Sequence, residues 1–296
     1  MPGCLRGMKG GRFRVYFFKG STWRVRKARQ GDKGGDGSVG GRFIDLSIAI
    51  EDGLPSDPPA MIPRIMYMDH QAGAASMVEF FPGMDPARDL PGGLGWAMEI
   101  LTVATHAGTH LDAPWHYHPT MDGGKPALTI DEVPLEWCMG PGVVLDFRHF
   151  PDGYRVTAED VEKAFRDMDY QLKEGDIVLV MTGADKYWGK PEYLVKGCGM
   201  SREATLWILE HGVRVTGTDA WSWDRPLPLI ARDFQESGDS SLIWEGHFAS
   251  IERGYCHIEK LTNLDRLPPH GFTFFCFPVK IKKASAGWVR AVALVE

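Results

Sequence analysis

Three things are scarce in this chain of 296 residues, and each scarcity removes a class of protein. Cysteine comes first: Cys4, Cys138, Cys198, Cys256 and Cys276 are odd in number, widely scattered and without a CxxC pair. A disulfide framework and a zinc ribbon are both excluded, and a reducing cytoplasm is the expected compartment. Cys256 reads as a small buried hydrophobe. Long apolar runs are missing too, since a stretch such as "FTFFCFPV" is far too short to cross a bilayer as a helix. Positive charge is the third: 33 Lys and Arg against 39 Asp and Glu leave a net charge of −6. With no basic field to gather phosphates, nucleic acid is not an expected partner.

What remains is ordinary globular material, 44% hydrophobic and 24% charged, enough to bury a sizeable core. The start is poor in acids, since residues 1–42 hold only Asp32 and Asp36 among many Lys, Arg and Gly. The apolar stretch "VYFF" there is too short for a secretory signal. Residues 1–42 are therefore expected to be a flexible basic extension, and residues 43–296 the folded domain.

Along that domain, "RFIDLSIAI", "GVVLDF", "DIVLVMTG", "VRVTGTDA" and "RAVALVE" read as strands, each an apolar or β-branched run bounded by turn formers. "TAEDVEKAFRDM" and "SREATLWILEHG" read as helices, capped by Thr157 and Ser201, the second stopped by Gly212. Alternating strands and helices predict a mixed α/β domain.

The chemistry concentrates in "THAGTHLDAPWHYH", Thr105 to His118, which places four of ten histidines in fourteen positions. His106 and His110 are four apart, so one helical turn would bring both imidazoles to the same side. Asp112 reaches the same point if the chain opens out before Pro114. Two imidazoles and a carboxylate suit zinc or a similar divalent ion, with one position left for water. Ala107 stands where a zincin protease would carry its glutamate, so the base must come from elsewhere. His116 is the nearest candidate, a residue able to take a proton from water and return it to a leaving amine. Gly108 permits close backbone approach, and Thr109 can hold a supporting hydrogen bond. His118 is given no chemical role.

"HAGTHLDAPWH" resembles the HxGTHxDxPxH signature of the cyclase family of metal-dependent hydrolases, which includes kynurenine formamidases and isatin hydrolases. The likeness extends from "IDLSIAIEDGLP" through "GDIVLVMTGADKYW" and "GVRVTGTDAWSWD" to "FPVKIKKASAGWVRAVAL", so it covers nearly everything after residue 43. It implies a swivelling β/β/α-type fold with a mixed sheet, usually in a homo-oligomer. It implies His106, His110 and Asp112 as metal ligands, His116 as the acid/base, and a second pair twelve residues apart, His247 and Glu259. One or two ions, zinc or manganese, would be held, with Asp112 and Glu259 between them when there are two. Glu245, Glu252 and His257 read as solvated or structural. Tyr117 replaces the Phe that many relatives carry after the last histidine.

The expected activity is an amidohydrolase that cleaves an aryl formamide such as N-formylkynurenine. A cyclic amide or lactone, isatin-like, is the alternative substrate, and a metal-stabilised binding protein or a ring-closing enzyme ranks lower. The partner is thus a small aromatic amide, for which Trp115, Phe81 and Trp221 are candidate contacts, with Phe80, Trp223 and Trp244 as further aromatics nearby.

Overall fold

Aliphatic and β-branched runs become strands here wherever both faces of a pleat can be covered. The computed structural model describes residues 16–17, 24–25 and 41–296. Tyr16–Phe17 and Arg24–Val25 pair antiparallel within a unit of their own, Met1–Gly40. Most of the extension expected over residues 1–42 lies outside the described residues.

The unit Gly41–Glu296 is built on one mixed sheet of nine strands. They are β1 (Arg42–Asp45), β2 (His110–Asp112), β3 (Met139–Asp146), β4 (Ile177–Met181), β5 (Val215–Thr218), β6 (Cys256–Glu259), β7 (His270–Phe275), β8 (Ala286–Trp288) and β9 (Val292–Val295). Their spatial order is β8, β2, β6, β5, β4, β3, β7, β9, β1. The inner four, β3 to β6, run parallel, and both flanks are antiparallel. All five stretches read as strands from the sequence contain one.

Side chains alternate across the sheet with period two. Val143, Leu145, Val178 and Val180 face a core shared with Val161 and Phe165 of the helix Ala158–Asp167 and Ile208 of the helix Arg202–Glu210. Val144, Ile177 and Leu179 face the other way, into a core that collects Leu111 and Ile258 from one end of the sheet and Ile44 and Ala293 from the other. One cluster can join both ends only if the sheet curls. Backbone bonds confirm it: Leu46 N donates to Ala291 O at 2.9 Å, and Thr262 N donates to Leu46 O at 2.9 Å.

Both helices begin where their caps predict. Thr157 Oγ1 accepts from Asp160 N at 3.2 Å while the Asp160 carboxylate accepts from Thr157 N at 2.9 Å, a reciprocal capping box. Ser201 Oγ accepts from Ala204 N at 3.1 Å. Replacing the cap, Thr157→Ala, is expected to lower stability by about 1 kcal/mol, read as a lower urea midpoint at unchanged slope. An unchanged midpoint would show that packing of Val161 and Phe165 alone sets this helix.

Candidate metal centre

A single strand pairing assembles the centre. β2 and β6 run antiparallel in a register that sets Asp112 opposite His257 and His110 opposite Glu259. Because side chains alternate, these four share one face, while Leu111 and Ile258 between them point into the core. Glu259 also ends a parallel strand, and the carboxyl ends of such strands are where open sheets place ligands. On the far side of β2, β8 sets Ala286 opposite Asp112 and Gly287 opposite Leu111.

The remaining donors come from loops around this pair. His106 is not on a helix with His110, as four-residue spacing predicts, but in the turn before β2. Gly108 takes φ +65° there, and a Cβ at that position would stand 2.8 Å from Ile50 Cγ1. A left-handed glycine breaks the helix and swings both rings to one point. Thr109 Oγ1 donates to Lys260 O at 2.6 Å and accepts from Ile48 N at 2.9 Å, tying the turn to the residue after Glu259. His247 sits on the short helix Glu245–Phe248, preceded by Trp244, whose ring stacks on it at 4.2 Å.

Four imidazoles are each held by one nitrogen and turn the other inward. His110 Nδ1 donates to Gly108 O at 2.8 Å, leaving Nε2 at 3.2 Å from Asp112 Oδ1 and 3.7 Å from Glu259 Oε2. His106 Nε2 meets Ser285 Oγ at 3.0 Å, with Nδ1 2.8 Å from Asp112 Oδ1. His247 Nδ1 is bonded to Asp224, and its Nε2 lies 3.7 Å from Glu259 Oε1. His257 Nδ1 meets Tyr255 Oη at 3.3 Å, with Nε2 3.2 Å from Asp112 Oδ2 and 3.3 Å from Glu259 Oε1. Outer partners of this kind fix ring orientation and tautomer around metal ions. His116 differs: its Nε2 is 3.7 Å from Asp112 Oδ2, yet its ring has no hydrogen bond among the described residues and its side chain is 24% exposed.

The donor set fits a cation. His110 Nε2, both Asp112 carboxylate oxygens and His257 Nε2 are buried without a hydrogen-bond partner among the described residues. Four such atoms in one cluster are rare in a native protein unless an ion satisfies them. Donor atoms of Asp112, His247, His257 and Glu259 all lie within 4.8 Å of one another, as do those of His106, Asp112 and His116.

The protein's own charges make the same point. Asp112 is fully buried, which favours the neutral acid, but the His106, His116 and His110 charges hold it well below the usual carboxylate range. Burial also pushes Glu259 upward, and His257 beside it brings the net shift down. His257 is disfavoured as a cation by burial, yet the facing carboxylates of Asp112 and Glu259 raise it to about 9. Burial likewise works against the His106 cation and Asp112 outweighs it, for a net rise. For His116 burial prevails over the pull of Asp112, the charges of His106 and His247 add to it, and the ring falls to about 4.

The cluster forms one wall of a cavity of about 500 Å³, to which His106, His116, His247 and Glu259 contribute. Beyond Ser222, the rest is largely apolar: Met61, Trp221, Leu227, Ile230, Ile243 and Trp244. Lys260 lines it too but is 1% exposed, its Nζ bonded to Asp57 and donating to His106 O at 2.7 Å. Trp221 Nε1 donates to the same Asp57 at 2.9 Å.

All six residues expected to bind metal or carry protons, His106, His110, Asp112, His116, His247 and Glu259, are thus brought together. Of the three candidate aromatic contacts, Trp221 lines the cavity, whereas Trp115 and Phe81 do not: they are 45% and 52% exposed, one at the start of a short helix and one capping another. Trp244 lines it as well, while Trp223 is buried and stacks on His257 at 5.9 Å. His118 turns away, accepting from Thr120 N at 3.1 Å. Glu245 is structural, paired with Arg155 at 2.6 Å. His257 is the residue that sequence reasoning set aside; period-two spacing from Glu259 in a strand was the signal that could have found it.

A family model described as "Putative cyclase" matches residues 44–225, more than half of the chain. A kynurenine formamidase of Salinibacter ruber is 27% identical over 194 residues, covering 65% of this chain and 77% of that protein. An isatin hydrolase of Roseibium aggregatum is 25% identical over 212 residues, covering 68% of this chain and 75% of that one. Among solved structures, an isatin hydrolase bound to the product analogue thioisatinate aligns with a TM-score of 0.66 at 19% identity, over 86% of this chain and 92% of that one, a likeness of fold.

The buried Lys260–Asp57 pair generates a prediction. Lys260→Met leaves the Asp57 carboxylate uncompensated in the interior and is expected to cost about 3–5 kcal/mol. Adding Asp57→Leu should recover much of that loss in urea denaturation. A single variant as stable as the parent would mean that water reaches the pair.

Proposed function

Because the chain belongs to the cyclase family, we propose that it is a metal-dependent hydrolase acting on carbon–nitrogen bonds other than peptide bonds. The observation that carries this is the set of unpartnered donors on His110, Asp112 and His257, buried directly behind the His106, His116, His247 and Glu259 that line a cavity of about 500 Å³. The names of relatives, kynurenine formamidase and isatin hydrolase, support it.

In this reading His106, His110, Asp112, His247 and Glu259 hold one or two divalent ions, zinc or manganese, with Asp112 common to both donor sets. When bound, such an ion polarises a carbonyl oxygen and lowers the pKa of an adjacent water toward neutrality. His116 moves the proton. It is the one imidazole of the group without an anchoring hydrogen bond, and it faces the cavity beside Asp112. Its Nε2 takes a proton as water adds to the carbonyl, then gives it to the nitrogen as the C–N bond breaks. Met61, Leu227, Ile230 and the Trp221 and Trp244 rings exclude water and seat an aromatic group.

The substrate proposed first is an aryl formamide such as N-formylkynurenine, giving the amine and formate. A cyclic amide or lactone, isatin-like, is the second reading, and the cavity lining favours it. Among the described residues Lys260 is the only lysine or arginine on that lining, and Asp57 already neutralises it. No lysine or arginine there is left to pair with the carboxylate of an amino-acid substrate.

A cytoplasmic homo-oligomer completes the proposal. Cys138, Cys198, Cys256 and Cys276 are free and buried, and no described helix is long and apolar enough to cross a membrane. The ladder of Arg64–Met68 with Met98–Thr102 leaves Met66, Tyr67, Ile100 and Leu101 exposed. A patch of exposed apolar side chains of this kind marks a surface for a further partner. Light scattering should give a multiple of 33.0 kDa, and a single-chain mass would end this part.

The activity is tested by offering the zinc- or manganese-loaded protein N-formylkynurenine and isatin side by side and following absorbance. Turnover of either supports the reading; turnover of neither removes both substrates. His116→Ala should lower kcat/KM by about 10²–10⁴-fold with metal content nearly intact, and loss of metal would make His116 a ligand instead. Chelation should abolish activity with the fold retained, whereas unfolding would favour a metal-stabilised binding protein.

A further inference from the structure

We infer that His257 is itself a metal ligand, the fourth donor of a closed cation site formed with Asp112, His247 and Glu259. This rests on the reading of the cluster as a metal centre and adds to it a residue that neither the histidine motif nor the twelve-residue spacing picks out.

The first observation is an unsatisfied nitrogen. His257 is fully buried, and among the described residues its Nε2 has no hydrogen-bond partner, although Asp112 Oδ2 and Glu259 Oε1 stand at 3.2 and 3.3 Å. A protonated ring acting as a counter-ion would aim its N–H at one of those oxygens. Instead Nε2 stands between the two at nearly equal distance. Donor atoms sharing one four-coordinate zinc, each about 2.0–2.1 Å from it, stand roughly 3.3 Å apart. The two contacts have that length, and His247 Nε2 completes the set at 3.7 Å from Glu259 Oε1.

The second observation is how firmly the ring is aimed. Its backbone N–H donates to Tyr117 Oη at 3.1 Å, and that hydroxyl donates in turn to Asp112 O at 3.2 Å. The imidazole lies between the rings of Tyr117 and Trp223, at 5.0 and 5.9 Å and tilted 24° and 21°. Nδ1 meets Tyr255 Oη. One nitrogen anchored outward and one bare nitrogen facing the carboxylates is the arrangement of His106, His110 and His247 as well. A Phe at position 117 could not make either hydroxyl bond.

Four protein donors fill a four-coordinate shell, which is the mark of a site that holds its ion rather than opening it to substrate. His257 therefore gives the centre one set with four protein donors, beside the His106, His110 and Asp112 of the histidine motif.

The test uses the full chain loaded with zinc. Competition with a chromophoric chelator should show that His257→Leu weakens one zinc equivalent by more than about 100-fold, beyond the 10–100-fold typical of a residue that only orients a ligand, with circular dichroism confirming the fold. Crystals of the zinc-loaded parent supply a readout that no variant can spoil: an anomalous peak about 2.0–2.1 Å from His257 Nε2. Zinc found at His106, His110 and Asp112 but not at His257, or parental affinity in folded His257→Leu, overturns the inference and leaves the metal centre standing. No zinc at any of these residues overturns both.

Discussion

The pairing of β2 with β6 is the constraint on which the rest depends. Its register sets His110 and Asp112 of one strand across from Glu259 and His257 of the other, with Leu111 and Ile258 facing the core between them. A slip of β2 by one residue would turn Leu111 toward the cavity and bury His110 and Asp112 in the core. Fold and site are therefore specified by the same hydrogen-bonded ladder, and neither can change alone. The small residues of β8, Ala286 and Gly287, belong to that specification, since a Cβ on Gly287 would stand 2.6 Å from Val279 O.

Placing two carboxylates in a dry interior creates a demand for positive charge. The imidazoles answer it unequally. His257 lies between Asp112 and Glu259 and is raised against the cost of its burial, whereas His116 stands at the cavity edge near His106 and His247 and is lowered by burial first. Hydrogen bonding divides them the same way: four rings are anchored through one nitrogen and His116 is not. Four anchored rings beside one unanchored ring are what the proposed hydrolytic centre calls for.

Much of this was legible in the sequence because its signals are local. Thr157 and Ser201 announced their helices, and apolar runs announced the strands that carry the core. The histidine motif was legible for the same reason, its donors lying within fourteen positions. Direction was not. Four-residue spacing implied a helical turn from His106 to His110, and only the left-handed Gly108 shows why the chain turns into a strand. Trp115 and Phe81 are near the motif or rich in aromatic surface, yet sequence neighbourhood says nothing of where a ring points. His257 was illegible because its meaning depends on pairing with a strand some 145 positions earlier. A period-two pattern becomes informative only once position 259 is known to lie in a strand.

Backbone strain gathers at the same place. Among the described residues, six other than glycine have positive φ, and two of them adjoin proposed ligands: Trp244 at +55° and Lys260 at +62°. Side chains of this size rarely adopt that conformation, which costs of order 1–3 kcal/mol unless the surroundings fix it. Both are fixed. Trp244 lies on the His247 ring, 16° from parallel, and Lys260 is held by Asp57, by the His106 carbonyl and by Thr109 on its own carbonyl. The left-handed turn at Lys260 redirects the chain immediately after Glu259 and returns its ammonium beneath the His106 turn. Strain at one residue is thereby converted into a tie between the His106 turn and the strand that carries Glu259.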